Sequence, residues 1–365
     1  MATRFPIRGC SHKSDRHRWR RAETSRRSCP LRTVPAQPGS YVQALLPDSK
    51  EESLKTLLER LGEGDLLICD GALGTLLHTK GLAARECPES WCISHPELVQ
   101  GIAEAYIEAG ADIVETNSFG GNPFKLRAYG FAERCGEFNR AAAALAKRAI
   151  TGKGYVAASV GPTGHILEEE GGDVTTAQLS AAFAEQAVAL AAGGADAICI
   201  ETMASIREAV QAIRAAKQNT QLPVICTFTF NPGAKGFRTM MGVKPDQAAL
   251  AALDAGADVV GANCGNGIAS MIEITGQMRA AAPRTPILIQ ANAGTPVIED
   301  GKTVFLETPE YMASRVAELL QAGANVIGGC CGTSPAHIRA MAAAVRASQQ
   351  AHPRKTHDDQ CTRTL

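Results

Sequence analysis

Eight short apolar runs, each followed by an Ala-rich stretch of helical period, divide most of this chain into repeated units of one strand and one helix. The runs lie at 66–72 (LLICDGA), 112–119 (DIVETNSF), 156–162 (VAASVGP), 197–203 (AICIETM), 224–230 (VICTFTF), 259–265 (VVGANCG), 287–294 (ILIQANAG) and 325–332 (NVIGGCCG). Four of them are entered through nearly the same phrase: AGADIV, GGADAI, AGADVV and AGANVI. In each phrase a Gly closes the preceding helix at the position that favours a left-handed backbone, and the next residues enter a strand buried on both faces. Strands without a polar face need helices on one side and another packed layer on the other, which predicts an α/β fold with a parallel sheet. Eight units predict closure into a (β/α)8 TIM barrel. An open doubly wound sheet is the alternative, but no GxGxxG opens a helix after the first run.

The repeats set the expected domain limits: a barrel over 49–348, preceded by an Arg-rich segment at 1–48 and followed by a polar tail at 349–365. The leading segment holds Arg4, Arg8, Arg16, Arg18, Arg20, Arg21, Arg26, Arg27 and Arg32 with few large apolar residues, too little to bury a core. Lys plus Arg and Asp plus Glu both number 37, so charge argues for neither a nucleic-acid nor an anionic-membrane partner. No uninterrupted apolar stretch is long enough to span a bilayer. The start lacks the apolar core and small-residue cleavage site of a secretory signal, so a cytoplasmic location is expected and the 12 cysteines are read as thiols, not bridges.

A barrel places its chemistry at the C-terminal ends of the strands. Polar residues collect there: Asp70; Glu115, Thr116, Asn117 and Ser118; Glu201 and Thr202; Asn263 and Cys264; Gln290 and Asn292; Cys330 and Cys331. Carboxylates ending apolar strands need a partner or a ligand, unless they cap the next helix. The runs contain no Lys and no His, which argues against Schiff-base chemistry and against imidazole-rich metal sites. Cys69, Cys199 and Cys226 read as small core residues. Cys264, Cys330 and Cys331 end runs six and eight, and Gly328, Gly329 and Gly332 free the backbone so that adjacent thiols can turn toward one point. Three thiolates suit Zn2+, with the fourth position open to a substrate thiol whose pKa the metal would lower. A redox pair at Cys330 and Cys331, plain core cysteines, and a phosphate-binding loop at the last strand are the competing readings.

The segments DGALGT (70–75), ADIVETNSFGGNPFKL (111–126), VGPTG (160–164), ETM (201–203), GANCGNG (261–267), QANAGTP (290–296) and GGCCGTSPAHI (328–338) together resemble the homocysteine S-methyltransferase family. That family includes the homocysteine-binding module of cobalamin-dependent methionine synthase and is related to the betaine-dependent enzymes. The resemblance implies a (β/α)8 barrel in which Cys264, Cys330 and Cys331 hold zinc and methyl transfer to the homocysteine thiolate yields methionine. It further implies that Asp70 and Glu201 bind the substrate ammonium, that the segment Asn117, Ser118 and Phe119 receives its carboxylate, and that Asn292 orients the substrate. The motifs lie closer to the methionine synthase module than to the betaine enzymes. The implied donor is therefore methylcobalamin on a separate corrinoid protein, with S-methylmethionine, betaine or a folate-linked partner as alternatives. Another thiol acceptor, or a non-catalytic barrel with structural zinc, are the remaining readings.

Overall fold

The computed structural model describes residues 55–299 and 302–351. The Arg-rich segment 1–48 and the end of the expected tail from 352 lie outside the described residues. The last helix, Pro335–Ala351, runs three residues into the segment read as a tail.

Eight parallel strands build the core: β1 Leu67–Ile68, β2 Ile113–Glu115, β3 Tyr155–Val160, β4 Ala197–Met203, β5 Val224–Phe228, β6 Val259–Asn263, β7 Ile287–Ala291 and β8 Val326–Gly329. Each pairs with its neighbour in sequence from β2 through β8, and β8 pairs with β1. The ring closes between β1 and β2 by a parallel bridge from Cys69 to Ile113, with Asp112 N donating to Ile68 O at 2.7 Å and Asp70 N to Ile113 O at 3.0 Å. The expected (β/α)8 barrel is therefore the fold.

Apart from β4, which spans its whole run, the strands are shorter than the apolar runs, because the polar residues at the run's end leave the ladder for the following loop. β2 stops at Glu115, so Asn117, Ser118 and Phe119 are loop residues, and Cys264 and Cys330 each fall one position past a strand. An antiparallel hairpin, Val297–Glu299 with Lys302–Val304, interrupts the connection after β7 and was not expected.

The repeated phrase has a structural cause. Gly110, Gly194, Gly256 and Gly323 adopt φ between 98° and 112°, a conformation that side chains with a Cβ rarely take. The residue two positions on then caps the neighbouring strand. Asp112 Oδ2 accepts from Ile68 N at 2.9 Å, Asp196 Oδ2 from Val156 N at 2.8 Å, Asp258 Oδ2 from Val224 N at 2.7 Å, and Asn325 Oδ1 from Ile287 N at 3.0 Å. A cation backs each cap: Arg60, Lys147, Lys217 and Arg279.

Inside the barrel, the lower half is apolar. Leu67, Cys69, Ile113, Tyr155, Ala157, Cys199, Ile225, Val259, Leu288 and Val326 pack together, and Leu57 and Leu61 of the helix Leu57–Gly62 plug the bottom. That helix is fixed by a capping box in which Thr56 Oγ1 accepts from Glu59 N while Glu59 Oε2 accepts from Thr56 N. Cys226 faces outward into the layer between strands and helices. The three cysteines read as core are all buried. With the lower half filled, any cavity must open at the upper rim.

Candidate active site

Above the apolar plug, the inward positions turn polar: Glu115, Ser159, Glu201, Thr227, Asn263 and Gln290. Of these, Glu115, Ser159 and Glu201 floor a cavity of about 430 Å³ that also reaches Thr75, Glu89, Thr116, Asn117, Ser118, Phe119, Thr202, Cys264, Cys330 and Cys331. Carboxylates and thiols therefore share one cavity.

Glu201 owes its position to an irregularity in β4. The register with β5 shifts between Ile200 and Met203, and Thr202 adopts φ 60°. Such a bulge re-aims a strand-end side chain. Glu201 Oε2 accepts from Asn263 Nδ2 at 2.9 Å, and Ser159 Oγ donates to Oε1. Asn263 is itself held, since its Oδ1 accepts from Thr202 N and Thr227 Oγ1, both at 2.8 Å. The helix after β4 is capped by Ser205, so Glu201 is not a helix cap. Nor is Asp70, because the helix Leu73–Thr79 has Ala72 at its cap without a side-chain bond.

Asp70 lies just beneath the cavity floor, 1% exposed, with Oδ2 accepting from Glu115 N at 2.8 Å. Glu115 lines the cavity, and its Oε1 is buried with no partner among the described residues. Burial, together with the repulsion of neighbouring carboxylates, pushes all three acids upward: Asp70 to about 7, Glu115 to about 8, and Glu201 well above the usual range. A cation entering this cluster would relieve both penalties.

The thiols converge from two loops. Cys264 adopts φ 58° and is followed by Gly265 at φ 74°, a pair of left-handed residues that lifts the chain off β6. Its amide donates to Gln290 O at 3.1 Å. On the other loop Cys330 N donates to Ala291 O at 2.7 Å, and Ala293 N donates to Cys331 O at 3.0 Å. The sulfurs of Cys264, Cys330 and Cys331 all lie within 4.8 Å of one another, with Cys264 Sγ and Cys331 Sγ 3.9 Å apart. Two ligands at a tetrahedral zinc–sulfur distance of about 2.3 Å would stand about 3.8 Å apart, so the donor set fits that metal in both spacing and chemistry.

Hydrogen bonds from Cys330 and Cys331 pull the Cys264 thiol down to about 3, whereas Cys331 rises to about 11 and Cys330 is held well above its ordinary value. Asn292, 3% exposed, also bonds Cys264, and its Oδ1 is buried without a partner among the described residues.

The competing phosphate loop finds no support. The amides of Gly329, Cys330, Gly332 and Thr333 are spent on Asp70 O, Ala291 O, Thr75 Oγ1 and Cys330 O. All nine described cysteines are unpaired thiols.

In the loop after β2, Ser118 Oγ donates to Ser159 O, Asn117 Nδ2 donates to Pro88 O at 2.7 Å, and Phe119 is 41% exposed at the mouth. Glu89 is a residue that sequence reasoning missed. It comes from the short helix Pro88–Ser90, outside the eight runs, and its Oε1 accepts from Gly120 N at 2.7 Å, bracing that loop. Ser159 was missed as well, since a lone Ser inside a strand carries no signal of its own. Among the described residues no helix is long and apolar enough to cross a membrane.

A family model described as homocysteine S-methyltransferase matches residues 67–345. The methionine synthase of Mycobacterium tuberculosis is 33% identical over 299 residues, covering 77% of this chain and 24% of that protein. The methionine synthase of Mycobacterium leprae is 31% identical over 311 residues, covering 80% of this chain and 25% of that protein. The chain thus spans about a quarter of the length of these curated relatives. Among solved structures, the metallated form of the homocysteine methyltransferase MmuM from Escherichia coli matches with a TM-score of 0.65 at 21% identity, over 78% of this chain and 98% of that one. At that identity the likeness speaks to the fold.

Proposed function

Because the chain belongs to the homocysteine S-methyltransferase family, we propose that it methylates the sulfur of L-homocysteine to give L-methionine. The observation that carries this reading is the meeting of three convergent thiols with a cluster of buried carboxylates in one cavity. Homocysteine has the matching parts: a thiol at one end, and an ammonium and a carboxylate at the other.

On this reading Cys264, Cys330 and Cys331 hold zinc, whose chemistry when bound is to keep a substrate thiol ionised yet nucleophilic at neutral pH. Glu201 and Asp70 bind the substrate ammonium. Glu201 accepts it directly, presented by Ser159 and Asn263, while Asp70 adds negative potential from below and holds the amide of Glu115. Asn117, Ser118 and Phe119 receive the carboxylate along their loop, and Phe119 screens the mouth. Asn292 orients the Cys264 sulfur and the incoming thiol. In the transfer the sulfur's electron pair forms the new S–C bond while the donor keeps the pair of the bond that breaks. The donor on this reading is a methyl-corrinoid carried by another protein. The names of the relatives support methionine as the product.

The test is methionine formation from homocysteine and, in separate reactions, a methylcobalamin-loaded protein, S-methylmethionine and betaine. Methionine with the corrinoid donor alone is the expected result. Methionine only with one of the small donors would overturn the donor, and none with any donor would overturn the reaction.

A further inference from the structure

We infer that the segment Phe305 to Glu307 is a strap that positions the three thiols, with Glu307 as its anchor; this rests on the zinc reading of those thiols. The segment follows the hairpin after β7 and contributes no metal-binding atom of its own to the cluster. It touches both loops that carry the cysteines. Glu307 Oε2 accepts from Ile268 N at 3.1 Å, capping the helix Ile268–Ala281 that begins four residues after Cys264. Glu307 N donates to Ala293 O at 2.9 Å, and Ala293 N in turn donates to Cys331 O at 3.0 Å. Glu307 O is bonded by His337 Nε2 at 3.0 Å, at the start of the helix that follows Cys330 and Cys331. One residue thus links the loop of Cys264 to the loop of Cys330 and Cys331.

Steric evidence points the same way. A Cβ on Gly267 would fall 2.1 Å from Glu307 Oε1, and one on Gly332 would fall 2.2 Å from Phe305 Cγ. Each distance is far below van der Waals contact, so the two strap side chains occupy space that only glycine leaves open beside the thiol loops. Thiols 67 residues apart in sequence stand 3.9 Å apart only if both loops are held. The strap acts through backbone and helix start, not by touching substrate, so Glu307 is a positioning residue. Partners of this kind, one step removed from the ligands, typically change metal affinity 10- to 100-fold when lost.

The experiment measures zinc affinity by competition with a chromophoric chelator, the thiolate-to-metal absorption of the Co2+-loaded protein, and the melting temperature of the metal-free protein. The variants are Glu307→Ala, Glu307→Gln, Gly267→Ala and, as a control at the opposite rim, Arg279→Ala. Glu307→Ala and Gly267→Ala are expected to weaken zinc binding about tenfold or more and to alter the Co2+ spectrum. Glu307→Gln keeps an acceptor for Ile268 N and should retain most of the affinity. Arg279→Ala should lower the melting temperature with zinc affinity unchanged. The strap is overturned if Glu307→Ala and Gly267→Ala bind zinc as the wild type does, or if Arg279→Ala weakens zinc binding by the same factor. Wild-type protein that binds no zinc would instead remove the metal reading on which the strap rests.

Discussion

At the lower rim of the barrel Asp112, Asp196 and Asp258 meet Arg60, Lys147 and Lys217, whereas at the upper rim Asp70, Glu115 and Glu201 stand among hydroxyls, amides, thiols and one another. The lower carboxylates are part exposed, and each accepts a strand amide. The upper ones are buried and pushed upward. Both sets end or begin a strand, and both carry carboxylates. The difference teaches that a carboxylate paired within the chain holds the fold, while one left without a cation in or beneath a cavity stays available to a ligand.

The most severe way to break the upper rim is to remove a thiol. Cys264→Ala, Cys330→Ala and Cys331→Ala should each abolish the roughly one zinc per chain expected for the wild type, because three ligands leave no spare thiolate. Metal analysis of the purified variants checks this, and full zinc in all three would remove the site.

Glu201→Gln breaks the carboxylate half alone. Zinc content should stay, while the Kd for homocysteine rises roughly ten- to hundredfold, as expected for loss of a charge-assisted hydrogen bond of about 1.5–3 kcal/mol. Calorimetric titration with homocysteine is the measurement; wild-type affinity would take Glu201 out of the ammonium site.

The lower rim should respond in the opposite sense. Asp196→Ala strands Val156 N and Lys147, at a cost of about 1–3 kcal/mol. The melting temperature should fall by about 2–4 °C for each kcal/mol, with homocysteine and zinc binding unchanged. Altered ligand affinity at an unchanged melting temperature would erase the contrast between the rims.

The last measurement is a pH slope. Asp70 and Glu115 are raised in the folded chain to about 7 and about 8, so between ordinary carboxylate pKa values and about pH 8 the folded state holds more protons than the unfolded one. Their contribution is fully present below the unfolded pKa and is lost as pH rises through the folded values. Ligand-free protein should therefore lose stability from about pH 5 to 8, and Glu115→Gln should flatten that slope. Denaturant melts across the range test it; a slope of the opposite sign would mean that the cluster is already neutralised by a cation.

How much of this was legible varies with the length scale of each feature. The phrases around Gly110, Gly194, Gly256 and Gly323 could be read directly, because a helix stop and a strand start depend on residues a few positions apart. The hairpin carried a signal that the barrel period obscured: Asp-Gly at 300–301 between VIE and KTV is a strong short-range turn cue. Glu115 was visible at its strand end, but that its Oε1 is left unpartnered was not, since that depends on how the neighbouring side chains pack across the barrel. Glu89 and Glu307 lie outside the repeating units, so no periodic argument reaches them.

By itself the sequence determined the barrel and the rim on which the chemistry sits. Strand period, glycine stops and apolar runs are local properties, and eight copies of one unit leave few ways to bury their faces. It also determined most of the side chains that reach that rim, though not Ser159 or Glu89. The tertiary structure alone decided what they do there: which carboxylate is paired, how Thr202 and Cys264 leave the extended conformation, and that two thiols 67 residues apart come within 3.9 Å. Those outcomes depend on distances between elements that are set only when the ring of strands closes, and no residue's own propensity encodes them.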